Sequence, residues 1–212
     1  MDFLPEDLQK YVEDHSEVES DLLHQINRET HLHVLKPRML SGHLQGRVLS
    51  MLSHMIGPAR VLEIGTYTGY ATLCLAEGLA GSGKIITIDN NEELSIRTKS
   101  YFEQSRYKEQ IEMVVGNAVK IIPALKESWD LVFIDADKEN YSNYFDLVID
   151  QVNTGGYVIA DNVLWSGKVS ENEIKDKATE SIRRFNEKVH ADSRVQNVLF
   201  PIRDGLMILR KL

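Results

Sequence analysis

Residues 60–70 read RVLEIGTYTGY, a short apolar run followed by a glycine-rich stretch and the start of a helical segment. Further apolar runs follow at 85–88, 111–115, 131–134 and 157–160, separated by segments with helical spacing. Near-continuous β-branched runs that alternate with helices are typical of a parallel sheet covered on both faces. The last two runs, 195–200 and 206–210, are joined by a connection too short for a helical crossover, so they should pair antiparallel.

The pattern therefore predicts an α/β fold with a doubly wound, seven-stranded, mostly parallel sheet and an antiparallel terminal hairpin. Helices are expected between the strands, at 70–80, 92–105, 118–126, 140–151 and 171–190. Residues 1–57 are expected to form N-terminal helices, at 5–14, 17–34 and 43–56, and to belong to one domain with the core at 58–212. These helices should cover an acceptor pocket or form a dimer contact.

Composition narrows the classes of partner. The chain of 212 residues carries 32 acidic and 24 basic side chains, a formal net charge of −8, which disfavours nucleic acid as a partner. No apolar run approaches the length of a membrane span, and the acidic N-terminus is unlike a signal peptide. The single cysteine, Cys74, cannot form an internal disulfide, so a cytoplasmic location is expected.

Small and acidic residues follow the first three strands. Gly65 and Gly69 allow a sharp turn close to a ligand, and a helix begins directly after them. Asp89 ends the second strand, where a carboxylate can accept both hydroxyls of a ribose, and 116–118 (Gly-Asn-Ala) could lie against a flat adenine. A glycine turn alone is as often plain structure as a ligand site. Taken together, the three strand ends predict a nucleoside site.

The fourth and fifth strands are followed by oxygen-bearing side chains. Asp135 comes after the fourth strand, and Asp161 and Asn162 come after the fifth. Two carboxylates and an amide suit a hard cation such as Mg²⁺, although an aspartate before a helix can also simply cap it. For Asp137 the capping role and a role near the donor are equally open. Lys138, taken alone, would be a solvated lysine at a helix start.

The stretches LEIGTYTGY, TIDNN, GNA, FIDADKENY and ADNVLWSG resemble the S-adenosylmethionine-dependent O-methyltransferases that include the caffeoyl-CoA and catechol enzymes. The resemblance runs from about residue 36 to the end of the chain, and the paired FIDADK and DN elements are specific to the metal-dependent group. It implies the Rossmann-like methyltransferase fold, S-adenosylmethionine as donor, Mg²⁺ or another divalent cation such as Mn²⁺ or Ca²⁺, a small phenolic acceptor and a homodimer.

The resemblance also implies roles for individual residues. The donor would be held by Glu63, Gly65 and Asp89, with Ala118 on the adenine side, Ser41 at the methionine part, and Thr66, Ala71, Asp135 and Asp137 nearby. The metal ligands would be Asp135, Asp161 and Asn162, and the catalytic pair would be Asp135 and Lys138, with Lys138 as the general base. An ion close to Lys138 would favour its neutral amine, which could take the proton of a phenol.

The acceptor side departs from the plant members of the family. They carry an Asp-Glu-Gly-Gln element where this chain reads His43-Leu44-Gln45-Gly46-Arg47, and an asparagine where it has Ser166. Trp165, Ser166 and Tyr141 are candidates to line the acceptor pocket, although simple packing is an equal alternative for Tyr141. The differences put a plant CoA-ester acceptor in doubt.

Two other functions stay open at this point. Some bacterial relatives methylate a hydroxylated uridine in transfer RNA; the net charge argues against this, but 36–38 (Lys-Pro-Arg) could make a local contact. A non-catalytic nucleoside-binding protein on the same fold is the other alternative. The complete set of metal-ligand types argues against it.

Overall fold

The computed structural model describes residues 5–212; residues 1–4, which the predicted N-terminal segment includes, lie outside the described part. Eight α-helices are assigned in it, at Glu6–Asp14 (α1), Asp21–His33 (α2), Gly42–Ile56 (α3), Tyr70–Ala76 (α4), Glu92–Gln104 (α5), Ala118–Ile121 (α6), Tyr141–Val148 (α7) and Lys177–Ala191 (α8). The strands are Arg60–Ile64 (β1), Lys84–Asp89 (β2), Ile111–Val115 (β3), Trp129–Ile134 (β4), Val152–Asp161 (β5), Val195–Phe200 (β6) and Leu206–Lys211 (β7).

The strands form one seven-stranded sheet in the order β3-β2-β1-β4-β5-β7-β6. The pairs β2–β3, β1–β4 and β4–β5 are parallel, while β7 pairs antiparallel with both β5 and β6. Residues 131–134 of the central strand β4 are completely buried, as a strand covered on both faces requires. The predicted fold class, strand count and antiparallel hairpin are confirmed.

Residues 5–60 and 65–116 form one compact unit, which holds α1–α5, β2 and β3. Helices α3 and α4 approach each other closely in it because glycines stand at the contact. A Cβ atom on Gly46 would lie 2.6 Å from Cε1 of Tyr70 and 2.9 Å from Sγ of Cys74. A Cβ atom on Gly78 would collide with the backbone of Ser53, which explains why a residue with no side chain follows α4.

Val61–Ile64 and Asn117–Leu212 form a second compact unit, with β1, β4–β7 and α6–α8. Helix α8 buries Ile182, Phe185 and Val189 at helical spacing. The ring of Phe185 meets that of Tyr141 edge to face, with centroids 5.4 Å apart. This packing supports the start of α7, which follows the residues predicted to bind metal.

Several element boundaries differ from the prediction. Helix α8 begins at Lys177 rather than 171, because the side chain of Asp176 accepts the amide of Thr179 at 2.8 Å and caps the helix there. Strand β5 begins at Val152 rather than 157, so it includes Gly155 and Gly156, which weaken a strand signal in the sequence. The segments expected at 118–126 and 140–151 finish as 3₁₀ turns at Ile122–Ala124 and Ile149–Gln151.

None of the helices within residues 5–212 combines the length and apolar composition needed to cross a bilayer.

Candidate active site

The glycine turn after β1 is held in an unusual backbone conformation. Gly65 and Gly69 have φ values of 104° and 80°, and Tyr67 between them has a φ of 51°. Glycine adopts such values without penalty, whereas a Cβ atom on Gly69 would also lie 2.5 Å from the ring of Phe102. Thr98 donates a hydrogen bond to the Tyr67 carbonyl at 2.9 Å. The turn is therefore locked from α5, a helix to which the sequence assigned no site residue.

Asp89 closes the same turn from the end of β2. Its Oδ2 accepts the Tyr67 amide at 2.7 Å, and its Oδ1 accepts the Asn91 amide at 2.9 Å. These bonds fix the carboxylate plane, and each oxygen keeps a second lone pair for a further donor. The arrangement fits a ligand with two neighbouring hydroxyls, such as a ribose.

Three smaller predicted donor residues lie in the same unit. Thr66 is buried, and its hydroxyl shares a 2.6 Å hydrogen bond with that of Thr87. Ala71 is buried in the first turn of α4, and Ser41 is buried directly before α3, where its side chain makes no capping hydrogen bond. Small side chains at these positions allow the backbone to approach a ligand.

The other predicted donor residues belong to the second unit. Glu63 is fully buried on β1, and Ala118 is buried at the start of α6. Asp137 makes no side-chain hydrogen bond to a backbone amide at the turn that follows it. It accepts the Tyr144 hydroxyl at 2.5 Å and the side-chain amide of Asn140 instead. The capping role left open for Asp137 is therefore not the one adopted.

The predicted metal ligands stand at adjacent strand ends. Strands β4 and β5 pair Ile134 with Ala160, so Asp135 and Asp161 are the next residues along two neighbouring strands. Asn162 follows with a φ of 59°, a left-handed conformation that asparagine tolerates better than most residues. Oδ1 of Asp161 accepts the Asn162 amide at 2.6 Å, which ties the two ligands to each other.

A cation already lies among these oxygens. Nζ of Lys138 is 3.0 Å from Oδ1 of Asp135, 2.9 Å from Oδ1 of Asn162 and 2.5 Å from the Tyr141 hydroxyl. The lysine side chain is only 10% exposed, so this is a held contact and not a solvated surface lysine. Sequence reasoning on Lys138 alone favoured the solvated interpretation, which is wrong.

The chemistry of this donor set fits a hard divalent cation. All the atoms that contact the ammonium are oxygens, and carboxylate, amide and hydroxyl oxygens are ligands that Mg²⁺ prefers. Within residues 5–212 no group of three His, Cys, Asp or Glu side chains could hold a metal, because the third ligand here is the amide of Asn162. Asp135, Asp161 and Asn162 could hold such an ion.

Tyr141 supports the cluster from below. Its ring is completely buried, which favours packing over lining an acceptor pocket. Burial raises the pKa of its hydroxyl well above the usual value, and the charges of Asp135 and Asp161 act in the same direction. The hydroxyl therefore stays protonated, and it donates to the Asp161 carbonyl at 2.9 Å while it accepts from Lys138.

The segment at 162–167 carries the other predicted acceptor residues. Trp165 and Ser166 have φ values of 47° and 55°, followed by Gly167 at 80°. The Trp165 ring centroid lies 5.9 Å from Nζ of Lys138, so the indole stands beside the cluster. Its Nε1 is buried and makes no hydrogen bond within the described part of the chain. Ser166 is exposed, and its amide is held by Asp204, a residue that sequence reasoning missed.

The O-methyltransferase family model matches residues 13–212. The chain belongs to the O-methyltransferase family. Caffeoyl-CoA O-methyltransferase 1 of Nicotiana tabacum is 31% identical over 223 residues, which cover 92% of this chain and 93% of the relative. The resemblance inferred from the sequence is thereby confirmed.

Two solved O-methyltransferases have closely similar structures. One, from Bacillus cereus, was solved in complex with SAH; it has a TM-score of 0.88 and 28% identity, with 97% of each chain covered. The other is TomG from Streptomyces achromogenes, involved in tomaymycin synthesis and solved in complex with SAM. It has a TM-score of 0.90 and 26% identity, with 97% of this chain and 96% of TomG covered.

Proposed function

We propose that this O-methyltransferase moves the methyl group of S-adenosylmethionine to one hydroxyl of a small catechol-type phenol, held by a divalent cation in the cytoplasm. The observation that carries the proposal is the convergence of Asp135 and Asn162 oxygens on the buried ammonium of Lys138. A site built to surround one positive charge with oxygen atoms suits the metal chemistry that activates a phenol.

The donor assignment rests on the turn after β1. The Asp89 carboxylate is oriented by two backbone amides and would accept the ribose hydroxyls. Gly65, Thr66 and Ala71 would leave room for the ligand, as would Ser41, while Glu63, Ala118, Asp135 and Asp137 are assigned to its remaining contacts. The SAM and SAH ligands of TomG and of the Bacillus cereus enzyme support this part of the proposal.

Asp135, Asp161 and Asn162 would hold the ion, which we take to be Mg²⁺, with Mn²⁺ and Ca²⁺ as substitutes. When bound, it supplies a positive charge that favours the phenolate form of the acceptor and fixes its direction. Trp165 stands beside this cluster and would pack against the flat ring of the acceptor. Ser166 follows it in the same segment.

Lys138 is assigned to proton transfer. Its Nζ would receive the proton of the reacting hydroxyl, after which that oxygen attacks the methyl carbon. The carbon–oxygen bond forms as the carbon–sulfur bond breaks, and the electron pair of the broken bond leaves with the sulfur. Tyr141 keeps Nζ next to Asp135 and Asn162, because its buried hydroxyl stays protonated and acts as an anchor. Such positioning can supply many kcal/mol of a methyl-transfer barrier.

The test is methyl transfer from labelled S-adenosylmethionine to catechols, caffeoyl esters and flavonoids, with Mg²⁺ or with excess chelator. We expect turnover of a catechol that chelator abolishes and Mg²⁺ restores. Asp135→Ala should lower turnover by at least about 100-fold, since a metal contributes several kcal/mol to such a transition state. Asp146→Ala is the matched control, because Asp146 is a half-exposed aspartate on α7 paired only with Lys188 in the described contacts.

Donor affinity is measured in parallel by calorimetry with S-adenosylhomocysteine. It should stay within a factor of a few in Asp135→Ala, which separates loss of chemistry from loss of folding. Wild-type turnover that persists in chelator would refute the metal mechanism. Turnover of hydroxyuridine-containing RNA instead of any catechol would identify the transfer-RNA function. Donor binding without turnover of any acceptor would indicate a nucleoside-binding protein.

A further inference from the structure

The connection between β6 and β7 contacts the segment that follows β5. The backbone carbonyl of Asp204 accepts the Leu164 amide at 2.8 Å, and the carbonyl of Gly205 accepts the Val163 amide at 3.2 Å. The Asp204 side chain adds a third bond, since its Oδ1 accepts the Ser166 amide at 2.5 Å. We call residues 162–167 the acceptor loop, because they carry Asn162 and Trp165.

The acceptor loop needs an external constraint. Asn162, Trp165 and Ser166 all have φ values near +50° to +60°, a conformation that costs free energy for residues with a Cβ atom. A charge-assisted hydrogen bond from a carboxylate to a backbone amide is stronger than one between neutral groups. The bond from Ser166 to Asp204 lies directly after Trp165, so it acts on the most strained part of the loop.

The hairpin is also packed tightly against the loop. A Cβ atom on Gly205 would lie 2.5 Å from Cγ and 3.1 Å from the backbone nitrogen of Leu164. On the other side, the side-chain amide of Asn186 on α8 donates to the Val163 carbonyl at 2.9 Å. Backbone contacts therefore hold residues 163 and 164. In the described hydrogen bonds, the position of Ser166 depends on the Asp204 carboxylate.

We propose that Asp204 is a positioning residue: its carboxylate holds the Ser166 amide and thereby fixes Trp165 beside the Lys138 cluster. This inference rests on the proposed function, because it assigns the acceptor loop to a catechol. A ring held against a fixed indole can present only one of its two hydroxyls to the donor. Asp204 should therefore control both the affinity for the acceptor and the choice of hydroxyl that is methylated.

The test compares Asp204→Ala, Asp204→Asn and the control Asp192→Ala with 3,4-dihydroxybenzoate as acceptor. Asp192 is a suitable control because its Oδ1 also accepts a backbone amide, that of Arg194 at 2.9 Å, before strand β6. Asp204→Ala should raise the acceptor KM by about tenfold, as expected for the loss of one charge-assisted hydrogen bond. It should also shift the two methylated products toward equal amounts.

Asp204→Asn keeps an oxygen that can accept the Ser166 amide, so its KM and product ratio should stay nearer the wild-type values. Partial unfolding lowers the active fraction and hence kcat, but it moves neither the acceptor KM nor the product ratio. If Asp204→Ala is not recovered folded, Asp204→Ser replaces it, because its shorter side chain does not reach the same amide.

The two proposals fail in different ways. Wild-type protein that methylates no catechol overturns the proposed function. A wild-type enzyme that does methylate catechol, together with an Asp204→Ala variant of unchanged acceptor KM and product ratio, overturns the role of Asp204. A KM for S-adenosylmethionine that rises as much as that of the acceptor also overturns it, because the effect would then not be confined to the acceptor loop.

Discussion

Replacement of Lys138 by methionine should make the protein bind a divalent cation more tightly. The ammonium group now lies 3.0 Å from Oδ1 of Asp135 and 2.9 Å from Oδ1 of Asn162, two of the three proposed ligands. An incoming metal ion must break at least one of these bonds before it can use the same oxygen. Methionine has a similar length and flexibility but no charge, so it removes the competing cation with little change in packing.

The size of the effect follows from the bond that is lost. A hydrogen bond to a charged group contributes about 1.5–3 kcal/mol net. Lys138 and Asp135 are only 10% and 21% exposed, so solvent screens their contact less than it screens a surface pair. Taking the lower limit, Lys138→Met should lower the Kd for Mn²⁺ by about tenfold, since 1.4 kcal/mol corresponds to one factor of ten.

Titration of free Mn²⁺ by electron paramagnetic resonance measures this affinity without any turnover. Lys177→Met is the matched control: that lysine pairs with Glu139 at 2.5 Å in the same part of the chain, but it is 73% exposed. Its Mn²⁺ affinity should equal that of the wild type. Equal or weaker Mn²⁺ binding by Lys138→Met, in a wild-type background that does bind Mn²⁺, would show that the ammonium does not compete for the ligands.

Two further predictions concern stability. Gly46→Ala should lower the free energy of unfolding in a urea titration despite the better helix propensity of alanine. Its methyl group would meet the buried ring of Tyr70 at 2.6 Å and Sγ of Cys74 at 2.9 Å, and overpacking costs about 1–3 kcal/mol against a gain of about 1; an unchanged or raised value would contradict the tight contact. Hydrogen bonds from Arg194 lower the pKa of Asp192 from 3.8 to about 2, so its stabilising effect is fully present above 3.8 and is lost as the pH falls toward 2. The difference in unfolding free energy between wild type and Asp192→Asn should therefore shrink over that range, and a difference that stays constant with pH would disprove the assignment.

The chain order of apolar and helical segments was sufficient to predict the fold class. Parallel strands buried on both faces need continuous apolar runs, and β1, β3 and β6 have the bounds expected from theirs. The boundaries that could not be predicted depend on local polar contacts or glycines. Helix α8 starts where Asp176 caps it, and β5 extends through a glycine pair that carries no strand signal.

The amino-acid sequence alone determined which chemical groups stand at the strand ends. Asp89, Asp135, Asp161 and Asn162 were assigned because in a parallel sheet the residue after each strand lies at the ligand-binding edge. Their types indicated a ribose and a hard cation. The family resemblance and the glycine turn were available at the same level, since both are properties of short contiguous stretches.

Only the tertiary structure decided how side chains from distant stretches combine. It buries Lys138 between Asp135 and Asn162, makes Tyr141 an internal anchor rather than a pocket wall, and connects Asp204 to Ser166 across 38 positions of the chain. Periodicity and composition report burial along one element, whereas such contacts depend on which elements become neighbours. The order of β5, β7 and β6 in the sheet brings the terminal hairpin beside the acceptor loop.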